Sequence, residues 1–212
     1  MRVDMWSDVV CPFCWLGKQR LAAAARAEGV ELQFVWRSFE LDPKRARIGE
    51  PGLVDAIAKK YGISREQSLS SQQQLAQAFE QYGGVYDYES ARPSNTFDAH
   101  RLTHLAATHG LADEMQDRLM RAYFGEGQAI GDHAVLRRLA EEIGLKPAEI
   151  DATLTSDAFA DDVRRDEEIA TQQLDVRGVP FIVLEGTMAI SGAQPVETFR
   201  AAIRQMAGQI AG

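Results

Sequence analysis

The chain is poor in cysteine, with two in 212 residues, at positions 11 and 14. Two thiols make no disulfide framework for a domain of this size. Nor do they complete a four-ligand zinc site unless His, carboxylate or a second chain contributes. No apolar run approaches the roughly 20 residues that cross a bilayer, so no membrane partner is expected. Blocks of Lys or Arg are absent and the formal net charge is −8, which argues against nucleic acid as a partner. The chain has no repeat period and no low-complexity tract. Its first residues, Met1-Arg2-Val3-Asp4-Met5-Trp6-Ser7-Asp8, put charges where an export signal carries its apolar segment. The expected location is therefore the cytoplasm, where a structural disulfide is disfavoured.

A hydrophobic content of 45% supplies core for one large domain or two modest ones. Residues 2 to 10, with Val3, Met5, Val9 and Val10 among polar neighbours, suit a strand ending before Cys11. Pro12 stands where a first helical turn tolerates a missing N–H, and Leu16, Leu21, Ala24 and Ala25 carry a helical face toward Gly29. The alternation from Val30 to Trp36 reads as a second strand.

From about 45 to 175 the spacing is helical almost throughout. Ser64-x-x-Gln67 predicts a capping box, Asn95 or Thr96 and Asp132 are candidate helix caps, and Pro147 opens a shorter helix. A helix over about 157–174 follows, whose cluster Asp161, Asp162, Asp166, Glu167 and Glu168, with Arg164 and Arg165, reads as a solvated face. The tail predicts a β-rich run over 176–184, a turn at Glu185-Gly186-Thr187, a strand over 188–191 and a helix over 195–208.

The chemistry is concentrated in Cys11-Pro12-Phe13-Cys14. At a helix start, Cys11 has unsatisfied N–H groups and the positive dipole end beside its sulfur, which lowers a thiol pKa. Cys14, one turn in, is expected to be more buried and less acidic. Cys11 is thus the exposed attacking thiolate and Cys14 the resolving thiol of an exchange reaction. The plainer alternative is a pair of buried, inert thiols. Asp8 has two readings, a buried proton relay for Cys14 or a cap for local N–H groups. Phe13 is expected on the surface, at an apolar substrate groove, with Trp6, Trp15 and Trp36 mostly in the core. His100 has two readings, a histidine that satisfies a core or interface hydrogen bond or a catalytic one, and the spacing of His104, His109 and His133 gives no metal site.

Five segments carry a resemblance: Asp8 to Gly17, Asn95 to Leu102, Ala122 to Asp132, Gly178-Val179-Pro180, and Ser191-Gly192-Ala193-Gln194-Pro195. In this order they resemble the DsbA-like branch of the thioredoxin superfamily, in particular its cytoplasmic FrnE-type members. The resemblance implies an α/β thioredoxin fold interrupted by a large helical insertion domain. Residues 1–40 plus 175–212 would form the discontinuous thioredoxin-like domain, and 41–174 the insertion, including the helix that returns to the core.

The activity implied is that of a dithiol-disulfide oxidoreductase or isomerase. Val179-Pro180 is expected to be a cis peptide beside the cysteines, with Val179 binding substrate through its N–H and C=O and with Pro12, Phe13 and Pro180 on the same surface. No bound cofactor is implied; glutathione is the reductant or cosubstrate. A disulfide-containing protein or small molecule is the partner, and the oligomeric state stays open. Phe13 occupies the place where strongly oxidising relatives carry His, so a potential more reducing than roughly −120 mV is expected.

Kappa-class glutathione transferases and 2-hydroxychromene-2-carboxylate isomerases are the rival resemblance, a glutathione-dependent isomerase or transferase on the same fold. They generally carry Ser in place of Cys11 and no thiol at Cys14. They also tend to have Asp-Arg after the late Gly, where this chain has Gly192-Ala193-Gln194-Pro195.

Overall fold

Alternating apolar residues make the first six-residue strand, β1 (Arg2–Ser7), of a computed structural model that describes residues 1–210. Val3 and Met5 are fully buried on one side of β1, while Asp4 and Trp6 point to the other. Pro12 then opens α1 (Pro12–Glu28), which stops at Gly29 in the left-handed conformation. Strand β2 (Gln33–Ser38) runs parallel to β1.

The chain returns to this sheet after residue 161. Helix α8 (Ala160–Glu168) continues as a wider π turn over Ile169–Gln173 and is followed by β3 (Phe181–Leu184), β4 (Met188–Ser191) and α9 (Val196–Ile210). The sheet order is β2-β1-β3-β4, with β3 antiparallel to β1 and β4 antiparallel to β3. This is the arrangement of a thioredoxin fold. Helix α1 packs along α9, while Trp6, Ala170 and Val176 form a second cluster with Phe181 and Val183.

Two compact units divide the chain, one of residues 1–41 and 162–212, the other of residues 42–161. Residues 211 and 212 of the expected thioredoxin-like domain lie outside the described residues. The returning helix was expected within the insertion up to residue 174, but α8 from Asp162 onward belongs to the sheet unit. The cause lies in the acidic cluster. Asp166 is buried: its carboxylate accepts from the backbone N–H of Ser38 at 3.0 Å and pairs with Arg37 at 3.2 Å, and its carbonyl accepts from the Trp6 indole at 2.9 Å. Glu167 accepts from the N–H of Glu40 at 2.8 Å. The solvated face expected there is therefore in part an anchor for the sheet.

Two strands are shorter than the sequence pattern suggested. β1 stops at Ser7, because residues 8 to 10 turn to start α1, and β3 begins only at Phe181.

The unit of residues 42–161 contains α2 (Leu53–Tyr61), α3 (Arg65–Glu80), α4 (Phe97–Thr108), α5 (Ala112–Glu126), α6 (His133–Glu142) and α7 (Pro147–Leu154). The Ser64–Gln67 capping box forms as read, Asp132 caps α6 through the N–H of Ala134, and Asn95 accepts from the N–H of Phe97 at 3.0 Å. Buried Arg101 closes the end of α7 by donating to the carbonyls of Thr153 and Ser156, and it pairs with Asp98.

Candidate active site

The site grows out of the turn between β1 and α1. The N–H of Cys11 donates to the carbonyl of Asp8 at 3.0 Å, and the N–H of Cys14 donates to that of Cys11 at 3.0 Å. Cys11 is the N-cap of α1, its side chain making no capping hydrogen bond, and Pro12 occupies the first turn. Cys11 is 3% exposed and Cys14 0%. The expected order of burial holds, but Cys11 is covered rather than exposed. Its cover includes the Val179 carbonyl, to which its thiol donates at 3.4 Å.

Burial pushes the Cys14 thiol well above its ordinary value, and the hydrogen bond to Cys11 and the charge there push it further. The Ser7 hydroxyl and the backbone N–H of Asp8, both bonded to the Cys14 sulfur, act the other way without overcoming burial. Cys14 therefore holds its proton at neutral pH.

Val179-Pro180 is a cis peptide. A turn braces it: the Pro180 carbonyl accepts from the N–H of Gly192 at 2.8 Å, and the carbonyl of Ala193 accepts from Arg20 of α1 at 2.7 Å. Gly17 makes this approach of helix and loop possible. A Cβ there would lie 3.1 Å from Pro180 Cγ and 3.6 Å from the Cα of Ala193. Beside the loop is an open hollow of about 400 Å³, lined by residues 175–181 with Ser191 and Gly192.

Cys11, Cys14, Asp8, Val179 and Pro180 thus gather around one helix start. Pro12 is half-buried in the first turn; Phe13, 51% exposed, does not line the hollow. Asp8 is buried, its carboxylate accepting from the N–H of Leu41 at 2.8 Å. His100 lies buried in α4 of the other unit. Sequence reasoning gave no role to Ser7, to Gly17 or to the 191–194 turn. The parity of Ser7 with Val3 and Met5, and a glycine inside a helix, were the available signals.

Residues 2–204 match the DsbA-like thioredoxin domain. The chain belongs to that family. Among curated proteins, YwbO of Bacillus subtilis, itself uncharacterized, is 30% identical over 204 residues, 96% of each chain. A probable DsbA oxidoreductase from Streptomyces coelicolor is 38% identical, with a TM-score of 0.90 over 98% of this chain and 90% of that one. A 2-hydroxychromene-2-carboxylate isomerase shares the fold at 20% identity and a TM-score of 0.72, over 100% of this chain and 98% of its own. The DsbA-like thioredoxin fold accounts for the sheet order, and the cysteine-bearing helix start and the loop of Pro180 are adjacent here in one unit.

Proposed function

We propose that this protein is a dithiol-disulfide oxidoreductase or isomerase in which Cys11 attacks and Cys14 resolves. The observation that carries this reading is the asymmetry of the pair. Cys11 stands at the open end of α1 against the Val179 carbonyl, while Cys14, behind it, keeps its proton.

The Cys11 thiolate attacks one sulfur of a substrate disulfide; that S–S bond breaks, the displaced sulfur leaves as a thiolate and takes up a proton. A mixed disulfide now joins Cys11 to the other substrate sulfur. Cys14 loses its proton, attacks Cys11 Sγ, and expels the second substrate thiolate. Two electrons have passed to the substrate, and the enzyme holds a Cys11–Cys14 disulfide. Two molecules of a small thiol, for which glutathione is the natural choice in a cytoplasm, then reduce it, the first forming a mixed disulfide and the second releasing it as their own disulfide. If instead another thiolate of the substrate attacks the substrate sulfur of the mixed disulfide, a new substrate disulfide forms, Cys11 leaves as the thiolate, and the outcome is isomerisation with no net transfer of electrons.

Val179 offers its N–H and C=O to the substrate chain beside the sulfur, in the manner of an added strand. Pro180 walls the hollow, while half-buried Pro12 and exposed Phe13, in the first turn of α1, give apolar contacts outside it. Asp8 takes the proton from Cys14: it is buried, and its own N–H already reaches the Cys14 sulfur.

The test is reduction of insulin and of a short peptide disulfide by glutathione, with and without the protein. The wild type is expected to accelerate at least one of them, and Cys11→Ser to be inactive. Equal rates for the wild type and Cys11→Ser would refute the proposal.

A further inference from the structure

Ser7 is the buried polar group at the Cys14 sulfur to which the exchange chemistry above gives no task. It ends β1, is 1% exposed, and shares the parity of Val3 and Met5, so its side chain is on the α1 side of the strand. Its backbone is fixed there, in register with Ser38 of β2 and with its carbonyl accepting from the N–H of Phe39 at 3.2 Å. The Ser7 hydroxyl and the N–H of Asp8 meet at the sulfur of Cys14, which has no exposed surface.

A neutral thiol does not require such partners. It is a weak donor and a weak acceptor, and it sits comfortably among apolar groups. A buried thiolate is different: with no water to solvate it, it forms only where donors are already in place. An apolar side chain at position 7 would have continued the buried face of β1 without placing a hydroxyl there.

We propose that Ser7 is a catalytic residue of the resolving step, its hydroxyl donating to the Cys14 sulfur as that sulfur becomes anionic and attacks Cys11 Sγ. The assignment rests on the dithiol reading above and deepens it. In the step, the Cys14 S–H proton passes to the Asp8 carboxylate, the Cys14–Cys11 bond forms, and the bond from Cys11 to the substrate sulfur breaks, that sulfur leaving with the electron pair as a thiolate. The Ser7 O–H bond stays intact throughout. The other charged or titratable groups around are Cys11 itself, the Asp8 carboxylate on the Leu41 N–H, and Lys18, one turn further along α1 with its ammonium 5.6 and 5.5 Å from the ring centres of Phe34 and Trp36.

Stopped-flow reaction with 5,5′-dithiobis(2-nitrobenzoate) separates the half-reactions. Cys11 attack releases one thionitrobenzoate ion, and Cys14 attack on the adduct releases a second. Ser7→Ala is expected to leave the first phase unchanged, to slow the second at pH 7 by roughly tenfold or more, and to move its pH midpoint upward. Ser7→Thr restores both. If Ser7→Ala does not fold, the isosteric pair Ser7→Thr and Ser7→Val gives the same comparison. Two ions from the wild type, with a second phase and midpoint indifferent to the hydroxyl, overturn the role of Ser7 alone. A single ion from the wild type overturns the dithiol reading and this assignment with it.

Discussion

The Cys11 sulfur lies 3.4 Å from the carbonyl oxygen of Val179, 168 residues away in the chain. That contact brings the attacking thiol to the loop expected to hold substrate, and the loop is fastened behind by Gly192 and, through Arg20, to α1 itself.

The fastening depends on Gly17. In a helix interior Gly costs about 1 kcal/mol relative to Ala, yet a Cβ here would meet Pro180 Cγ at 3.1 Å. Gly17→Ala is expected to change stability by less than about 1 kcal/mol, because the better helix propensity of Ala is offset by crowding against Pro180. It should still slow disulfide exchange several-fold, because the Pro180 loop must give way. Gly17→Val should cost about 1–3 kcal/mol as well. Urea denaturation beside an exchange assay checks both; a Gly17→Val variant with wild-type activity and stability would show that the close approach has no function.

Cys14 predicts two pH effects. In Cys11→Ser the charge and hydrogen bond of Cys11 are gone, but burial, the largest cause of the upward shift, remains. Iodoacetamide should therefore label Cys14 far more slowly at pH 8 than it labels Cys11 in Cys14→Ser. For the reduced wild type the sign follows from linkage: a thiol raised by folding stabilises the folded state below the ordinary thiol pKa of about 8.5, and that stability is lost as pH rises beyond it. Urea midpoints from pH 7 to pH 10 should fall more steeply for the wild type than for Cys14→Ala.

Asp8→Asn separates the two roles open to this residue. The amide oxygen still accepts the Leu41 N–H but takes no proton. The second thionitrobenzoate phase should slow by on the order of a hundredfold, with the first phase and the stability little changed. A variant that resolves at the wild-type rate would leave Asp8 a brace only.

Arg37 joins two buried carboxylates, Asp4 at 2.9 Å and Asp166 at 3.2 Å. Arg37→Ala takes a cation from each, leaving Asp4 with Arg2 alone, and should cost about 3 kcal/mol in urea denaturation. Burial pushes the Asp4 carboxyl up, but hydrogen bonds from Arg2 and Arg37 hold it below its ordinary value. The stability this gives is present above the unfolded pKa of about 3.9 and lost as pH falls through the folded one. The wild type should accordingly lose stability more steeply below about pH 4 than Arg37→Ala does.

Much of the fold was legible because its signals are local. The capping box at Ser64, the cap at Asp132, Pro12 opening α1 and the order β-α-β, helices, β-β-α each declare themselves within a few residues. Asp166 did not: it sits among acidic neighbours on a polar helix, and its partner Ser38 is 128 residues away. The covering of Cys11 escaped for the same reason, since the Val179 carbonyl that lies on it is equally remote in sequence. Ser7 was legible in part, because strand parity gave its side, but only the packed helix shows that a sulfur lies there.

The most direct test of the dithiol couple is a redox titration of the purified protein in glutathione buffers, quenched by alkylation and weighed. A reversible loss of two hydrogens that requires both Cys11 and Cys14 is the expected result, with a midpoint more reducing than roughly −120 mV. A stable glutathione adduct on Cys11 with no Cys11–Cys14 disulfide at any ratio would contradict it and favour glutathione-dependent isomerase or transferase chemistry.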